Sequence, residues 1–361
     1  MRTRAAILHE FNKPLTIEEV EVAEPQVGEI LVRILASGIC HSDVSAYHGF
    51  WMSPLPIILG HEGAGIVEAV GPEVTRVRPG DSVVMSVVWG CGQCKYCLQG
   101  KPFRCRSGAV RGTMPDGTRR FRKDDQEVSH FFCHSSFAHY TVVPEKMAVK
   151  VPTDIPLEKL GPLGCGVQTG AGAVLNVAEV GLGESVAVFG CGGVGLSSIM
   201  AAKFAGAAPI IGVDVVESRM ELAKEMGATH TVNAAEADPV AKTKEITDGG
   251  ADYAFECTGN VDTIRQTVDS LGPGGTAVIT GGPPLGAEAK LNAPGLLSVR
   301  ILGNMGGEGI PDIFIPRLID LWRRGEFPYD RMITKAYGLD EINQAMTDME
   351  QGVVIKPLIR F

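Results

Sequence analysis

The feature that most constrains the fold is Val186-Ala187-Val188-Phe189 running into Gly190-Cys191-Gly192-Gly193-Val194-Gly195, then an Ala-rich stretch from Leu196 to Ala205. The order is strand, tight glycine turn, helix, and in that context G-x-G-x-x-G is the phosphate-binding turn of a doubly wound parallel sheet. Gly190 permits the turn, Gly192 lets the backbone approach a pyrophosphate, and Gly195 lets helix and strand pack closely. Gly193 and Val194 open the helix whose N-terminus faces the phosphates. The next apolar run, Ile210 to Val213, ends in Asp214, at the spacing expected of an acid that bonds the adenosine ribose hydroxyls. A carboxylate there repels a 2′-phosphate, so NAD is expected rather than NADP, with Arg219 within reach of the same ribose. The competing reading is a glycine-rich turn in some other α/β domain; the flanking strand, helix and acid count against it.

Further apolar runs at Tyr253–Phe255 and Thr276–Ile279 alternate with helical stretches, the βαβ rhythm of a parallel sheet. Before Cys165 the texture changes. Short β-type runs such as Ile30–Leu35 and Gly65–Gly71 are bounded by Gly and Pro, so this half is mainly β. The tail beyond Gly306 breaks the βαβ rhythm and is expected to return to the first domain. A chain of 361 residues exceeds what one core usually serves, which agrees with two domains.

Charge narrows the partners. Against 42 Asp and Glu stand 33 Lys and Arg, a net charge of −9 that repels a phosphate backbone, so no nucleic acid is expected and small-molecule chemistry is. No run approaches the roughly 18 apolar residues of a membrane helix, so no membrane partner is expected. The apolar run near Met1 is too short for a signal peptide, which points to the cytoplasm.

Four of the nine cysteines crowd together as Cys91-x2-Cys94-x2-Cys97-x7-Cys105, with Gly90, Gly92 and Gly100 letting the loop fold so that the sulfurs converge. Four thiolates close a tetrahedral shell, the pattern of a structural zinc site in a reducing compartment. An iron–sulfur cluster also suits four cysteines, and a redox C-x-x-C is a third reading. Elsewhere Gly38-Ile39-Cys40-His41-Ser42-Asp43 and Gly60-His61-Glu62-Gly63 carry ligand-type side chains, but spacing alone does not show that Cys40, His61 and Cys165 meet. Cys133, Cys191 and Cys257 need no role, and His9, His130, His134, His139 and His230 are read as surface or core residues, with His134 and His139 close in sequence to Phe131 and Phe132.

Taken together, Gly60-His61-Glu62, the four-cysteine loop, Gly164-Cys165-Gly166, the glycine turn and Glu256-Cys257-Thr258-Gly259-Asn260 stand in an order and spacing that resembles the zinc-dependent medium-chain alcohol dehydrogenases over nearly the whole chain. The resemblance implies a GroES-like β-rich catalytic domain of residues 1–166 and 306–361, carrying the zinc loop 91–105, around a Rossmann NAD-binding domain of residues 167–305. It implies a catalytic zinc held by Cys40, His61 and Cys165, with Glu62 as an intermittent or displaced ligand and Asp43 orienting His61. Ser42 matches the hydroxyl that receives the alcohol proton. His41 and Lys356 are expected near the pyrophosphate, and Thr169 and Thr258 with the rest of the cofactor site. One departure is Ser45, where better-known members carry the outer histidine of the proton path; the path then ends on ribose and water, or on His48.

The activity implied is reversible oxidation of a primary alcohol to its aldehyde by hydride transfer to NAD. The same alignment walls the pocket with Trp51, Val87, Phe131, Phe132, Gly282 and Met305, mostly large and apolar, which suits aromatic, terpene or medium-chain alcohols. The alternative is the glutathione-dependent formaldehyde dehydrogenase branch; its arginine beyond the zinc loop is replaced here by Ala109, with Arg106 and Arg111 nearby. A reading of another class is a non-catalytic zinc- and NAD-binding scaffold, against which Ser42, Asp43, Cys165 and the intact glycine turn argue. The segment Thr113 to Ser135 resembles dimeric members, so a homodimer is expected, with a homotetramer as the alternative.

Overall fold

The computed structural model describes residues 1–107 and 111–361, which form two compact units. One comprises Met1–Cys165, Ile310–Arg317 and Asp330–Phe361; the other comprises Gly166–Gly309 and Leu318–Tyr329. The division expected from sequence differs from this in the tail, where residues 306–309 and 318–329 pack with the second unit. Gly307 explains part of the difference. It lies so close to Gly172 that a Cβ on Gly172 would meet the Gly307 carbonyl oxygen at 2.1 Å, and Asn176 donates to that same oxygen at 2.9 Å. Within the second piece, the Trp322 and Tyr329 rings lie 6.2 Å apart.

In chain order the strands are β1 (Arg2–Leu8), β2 (Thr16–Val22), β3 (Glu29–Gly38), β4 (Ile57–Ile58), β5 (Glu62–Val70), β6 (Ser82–Met85), β7 (Phe121–Lys123), β8 (Gln126–His130), β9 (Tyr140–Pro144) and β10 (Ala148–Lys150). They continue with β11 (Val186–Phe189), β12 (Ile210–Asp214), β13 (His230–Asn233), β14 (Ala251–Glu256), β15 (Leu271–Ile279), β16 (Arg300–Gly303), β17 (Lys335–Gly338) and β18 (Pro357–Arg360).

In the first unit β1-β2-β7-β8-β4 closes a barrel, and a second sheet runs β10-β6-β5-β3-β18-β17, with β9 also on β3. The tail thus supplies β17 and β18, and β18 pairs antiparallel with β3. Ile7, Leu8, Phe121 and Phe137 lie in the barrel core, while Ile30, Val32, Ile34, Val83 and Met85 cluster on the second sheet. Buried Glu29 at the start of β3 takes two bonds from the Arg120 guanidinium, at 2.8 and 2.7 Å, and so ties the two sheets together. The register of β3 on β5 sets Gly38 opposite Glu62. A Cβ there would fall 2.2 Å from a Glu62 carboxylate oxygen, so any larger residue would displace that carboxylate.

The second unit is a parallel sheet in the order β13-β12-β11-β14-β15-β16. The chain adds β12 and β13 on one side of β11 and β14 to β16 on the other, so the strand order reverses between β11 and β14, the switch point whose carboxyl edge forms a ligand crevice in folds of this type. All four residues of β11 are buried, as expected of a strand covered on both faces.

Candidate active site

Cys40 caps the helix His41–Tyr47, and Asp43, in the first turn of that helix, organises what surrounds it. The fully buried Asp43 carboxylate accepts the Cys40 N–H at 2.9 Å, the Gly60 N–H at 2.9 Å and His61 Nδ1 at 3.1 Å. A carboxylate can only accept, so His61 donates from Nδ1 and turns Nε2 inward. That Nε2 is buried with no hydrogen-bond partner. Cys165 reaches the same place because the turn Gly161–Gly164 lies directly on β5 and β6: a Cβ on Gly161 would meet the Glu62 carbonyl at 2.3 Å, and one on Gly164 the Met85 carbonyl at 1.8 Å. The ligand atoms of Cys40, His61, Glu62 and Cys165 lie within 4.8 Å of one another. Two sulfurs, an imidazole nitrogen aimed inward and a carboxylate form the donor set of a zinc site, and the orphaned Nε2 fits a metal ligand.

Lys356, expected at a pyrophosphate, is engaged otherwise in this unit. Its ammonium is buried and donates to Glu62 Oε1 at 2.9 Å and to the Ile39 carbonyl at 3.2 Å. Burial pushes the Glu62 carboxyl up, against the pull of Lys356, while Lys356 itself is held charged by Glu62 and the neighbouring Cys40. Contact with Cys165 holds the buried Cys40 thiol well below the ordinary thiol range, and contact with Cys40 drives the half-buried Cys165 up. Burial disfavours a charged His61, yet the Asp43 carboxylate and Cys40 raise it to about 10. The protein thus sets negative charge around an inward-facing imidazole, a field that attracts a divalent cation.

The other four cysteines also converge, and their ligand atoms again lie within 4.8 Å of one another. Peptide N–H groups of Gln93 and Cys94 point at the Cys91 sulfur, at 3.5 and 3.3 Å, and the Cys91 N–H points at Cys105 at 3.4 Å. Such donors stabilise thiolate, and together with the Ser107 hydroxyl they lower Cys91 to about 6. Four half-exposed sulfurs within reach of one another suit a closed tetrahedral site.

In the second unit, Gly190 takes φ +95°, and a Cβ on Gly195 would sit 1.7 Å from the Gly190 carbonyl oxygen. Around the Cβ direction of Gly192 nothing lies within 4 Å, so that side of the turn is open. Gly193 and Val194 begin the helix Gly193–Ala205. Asp214, at the end of β12, accepts the Cys191 N–H at 2.7 Å and the Val215 and Val216 N–H groups at 2.8 and 2.9 Å. The buried Nε of Arg219 has no hydrogen-bond partner among the described residues. Thr258 donates to Glu256, and the Thr169 carbonyl accepts from Asn304 at 3.0 Å. An open glycine turn, an acid at the next strand end and an uncommitted guanidinium nitrogen fit a dinucleotide.

Beside His61 stands a group of aromatic rings. Phe131 and Phe132 lie 5.4 and 5.0 Å from the imidazole and 4.7 Å from each other, and Trp51 stacks on Phe131 at 6.2 Å. Val87 is close by, its N–H donating to the Gly164 carbonyl at 3.0 Å. Gly282 and Met305 belong to the other unit, Gly282 against Gly259 and Met305 67% exposed. His41, Ser42 and Ser45 lie on the helix after Cys40, and both ring nitrogens of His48 are taken, by Asn12 at 2.6 Å and Glu350 at 2.7 Å. Arg106 and Arg111 are described; Ala109 lies outside the described residues.

Residues 26–153 match the alcohol dehydrogenase GroES-like domain and residues 193–322 the zinc-binding dehydrogenase domain. The chain belongs to the zinc-dependent medium-chain alcohol dehydrogenases. It is 42% identical to an alcohol dehydrogenase class-3 of Cereibacter sphaeroides, covering 100% of both chains. It is also 42% identical to a geraniol dehydrogenase of Castellaniella defragrans, over 99% of this chain and 97% of that one. The crystal structure of benzyl alcohol dehydrogenase from Acinetobacter calcoaceticus superposes with a TM-score of 0.95 at 43% identity, covering 100% of this chain and 99% of that one. The protein is therefore an oxidoreductase, an alcohol dehydrogenase that uses zinc and NAD(H), built from a GroES-like and a Rossmann domain. Alcohol oxidation sets aside the non-catalytic scaffold.

Sequence reasoning gave His134 no role beyond its nearness to the pocket segment; it is fully buried behind the site, with Nδ1 3.2 Å from the His61 carbonyl oxygen. No motif marks it; only the fold brings residue 134 to residue 61. Burial lowers His134 and His130 to about 3, with the neighbouring positive groups acting in the same direction. In the unfolded chain each titrates near 6.5, so their contribution to stability is complete above that pH and is lost as pH falls from 6.5 toward 3. Each contributes up to about 1.4 kcal/mol per pH unit in that window. Urea midpoints should therefore fall between pH 7 and pH 5, and His130→Gln should flatten the slope; equal midpoints at the two pH values would refute the neutral, buried assignment.

Proposed function

We propose that the enzyme oxidises a primary alcohol bearing an aromatic, terpene or medium-length apolar group to its aldehyde, reversibly, with NAD and two zinc ions per chain. The observation that carries this reading is the convergence of Cys40, His61, Glu62 and Cys165 directly beside the Phe131, Phe132 and Trp51 rings. When bound, zinc supplies Lewis acidity toward the alcohol or carbonyl oxygen, and NAD supplies the hydride acceptor. Cys40, His61 and Cys165 would hold the catalytic ion. Glu62, drawn toward Lys356, stands by as a further ligand, which also accounts for Lys356 better than a direct pyrophosphate contact does. Asp43 fixes the tautomer and direction of His61. Ser42 takes the alcohol proton, and because His48 has both nitrogens engaged, the exit to water is favoured. Gly190, Gly192, Gly193, Val194, Gly195, Asp214, Arg219, Thr169, Thr258 and His41 would hold NAD, and Cys91, Cys94, Cys97 and Cys105 the structural ion.

Two measurements test the metal assignment and the substrate. Metal analysis should give two zinc ions per chain, falling to one in both Cys40→Ala and Cys94→Ala; Cys40→Ala should lose turnover while still folding and binding NAD. Normal turnover in Cys40→Ala would refute the assignment. With NAD and the wild-type enzyme, benzyl alcohol or geraniol should outpace ethanol and formaldehyde with glutathione. Reaction with the glutathione adduct alone would favour the class-3 branch, for which Arg106 or Arg111 would supply the cation.

The second unit's sheet ends on β16, an exposed edge strand on which Ile301 and Leu302 are 41% and 36% exposed, with Leu297 nearby in sequence at 92%. An apolar edge of this kind is normally covered, which supports a homodimer formed through it, a homotetramer being the alternative. Sedimentation should give twice the chain mass, and Ile301→Lys should shift it to one. No helix among the described residues is long and apolar enough to cross a membrane. We place the enzyme in the cytoplasm, where the thiols of both clusters stay reduced.

A further inference from the structure

Between β8 and β9 the chain makes an uncommon turn. Phe132, Cys133 and Ser135 all adopt left-handed backbone, with φ of 51°, 57° and 49°, and none of them is glycine. Such residues persist only where their surroundings over-determine them, and they gather at binding sites. Here the surroundings are specific. Ser135 is fully buried, and its hydroxyl accepts the Phe131 N–H at 3.0 Å while donating to the Ile58 carbonyl at 2.8 Å. The His134 and Ser135 N–H groups return to the Phe131 carbonyl at 2.9 and 3.1 Å. Thr141 donates to the His134 carbonyl, and the Cys133 thiol to the Thr113 carbonyl at 3.3 Å.

The partner strand leads straight to the metal ligand. Ser136 and Phe137 donate to the Gly60 and Leu59 carbonyls at 3.0 and 3.1 Å, and His134 bonds the His61 carbonyl. Residues 58–61 and 131–137 are thus one hydrogen-bonded piece, with Ser135 as its only side-chain link to Ile58 among the described residues. That piece fixes the angle between the Phe131 and Phe132 rings at 78° and holds both within 5.4 Å of the His61 ring.

We propose that Ser135 is a positioning residue for substrate selectivity: its hydroxyl holds the left-handed turn that presents the Phe131 and Phe132 rings as a right-angled wall beside His61, and so favours an alcohol with a flat ring on the carbinol carbon. Two rings at a right angle offer a flat guest one face-to-face and one edge-to-face contact, geometry that a flexible alkyl chain does not use. Removing the hydroxyl leaves the Phe131 N–H and the Ile58 carbonyl buried without that partner, and the turn relaxes out of the left-handed region. The rings move with it. The inference rests on the proposed reading that the alcohol binds beside His61.

Wild type, Ser135→Ala and Ser135→Gly should be titrated with benzyl alcohol and with hexan-1-ol in the absence of NAD, following tryptophan fluorescence, and then assayed with NAD. Zinc content serves as the check on folding. The expected result is tighter binding of benzyl alcohol by the wild type, and at least a fivefold fall in the benzyl-to-hexyl preference in both variants, in binding and in kcat/KM alike. A wild type without ring preference in binding overturns the proposal, as do parallel losses for both alcohols. Retention of the preference in Ser135→Gly alone also overturns it, because backbone freedom rather than the hydroxyl would then be the determinant. Should both variants fail to retain zinc, Thr141→Val, which frees the His134 carbonyl of the same turn, must lower the preference or the proposal falls. If the wild type shows the ring preference in binding and both variants lose it, yet neither alcohol is oxidised, the proposed activity fails and the role of Ser135 stands.

Discussion

The site depends on one buried carboxylate. Asp43 gathers the N–H of Cys40, the N–H of Gly60 and Nδ1 of His61, three donors from two segments that are distant in sequence. Without that acceptor each donor would be buried and unsatisfied, at a cost of roughly 1–3 kcal/mol apiece. With it, the start of a helix and the end of a loop are locked so that one sulfur and one imidazole nitrogen face each other. A charged group so deeply buried is tolerable because all its partners are donors.

Around this anchor the first unit distributes charge and apolar surface on different sides. Cys40, Glu62 and Cys165 lie with the Lys356 ammonium, while the Trp51, Phe131 and Phe132 rings occupy the flank of His61. The first set attracts a cation, and the second presents an apolar surface. Lys356 comes from the far end of the chain, on the tail segment that becomes β18. The return of the tail to β3 therefore completes the electrostatics of the site as well as the sheet.

The second unit solves a simpler problem with local means. Gly190, Gly192 and Gly195 sit where a turn must tighten, stay open and pack closely, and Asp214 ends the adjacent strand. The cofactor turn needs only one strand, one helix and the next strand, all within about thirty residues of sequence, as such units do.

That difference explains what could be read from the sequence. The glycine turn, the parallel sheet and the four-cysteine loop are local patterns whose geometry follows from spacing, and the sequence alone was enough to place them. Resemblance supplied the triad of Cys40, His61 and Cys165, but spacing could not show that they meet. Their meeting required the register of β3 on β5 and the glycine-lined turn at Gly161–Gly164. The pairing of Lys356 with Glu62, His134 behind His61 and the left-handed turn at Phe132–Ser135 left no signal in the sequence, because contacts between distant segments follow no periodicity. The sequence determined the class of fold and the two kinds of ligand; the tertiary structure decided which side chains face one another, because a buried charge or a strained turn exists only once its partners from elsewhere in the chain have closed around it.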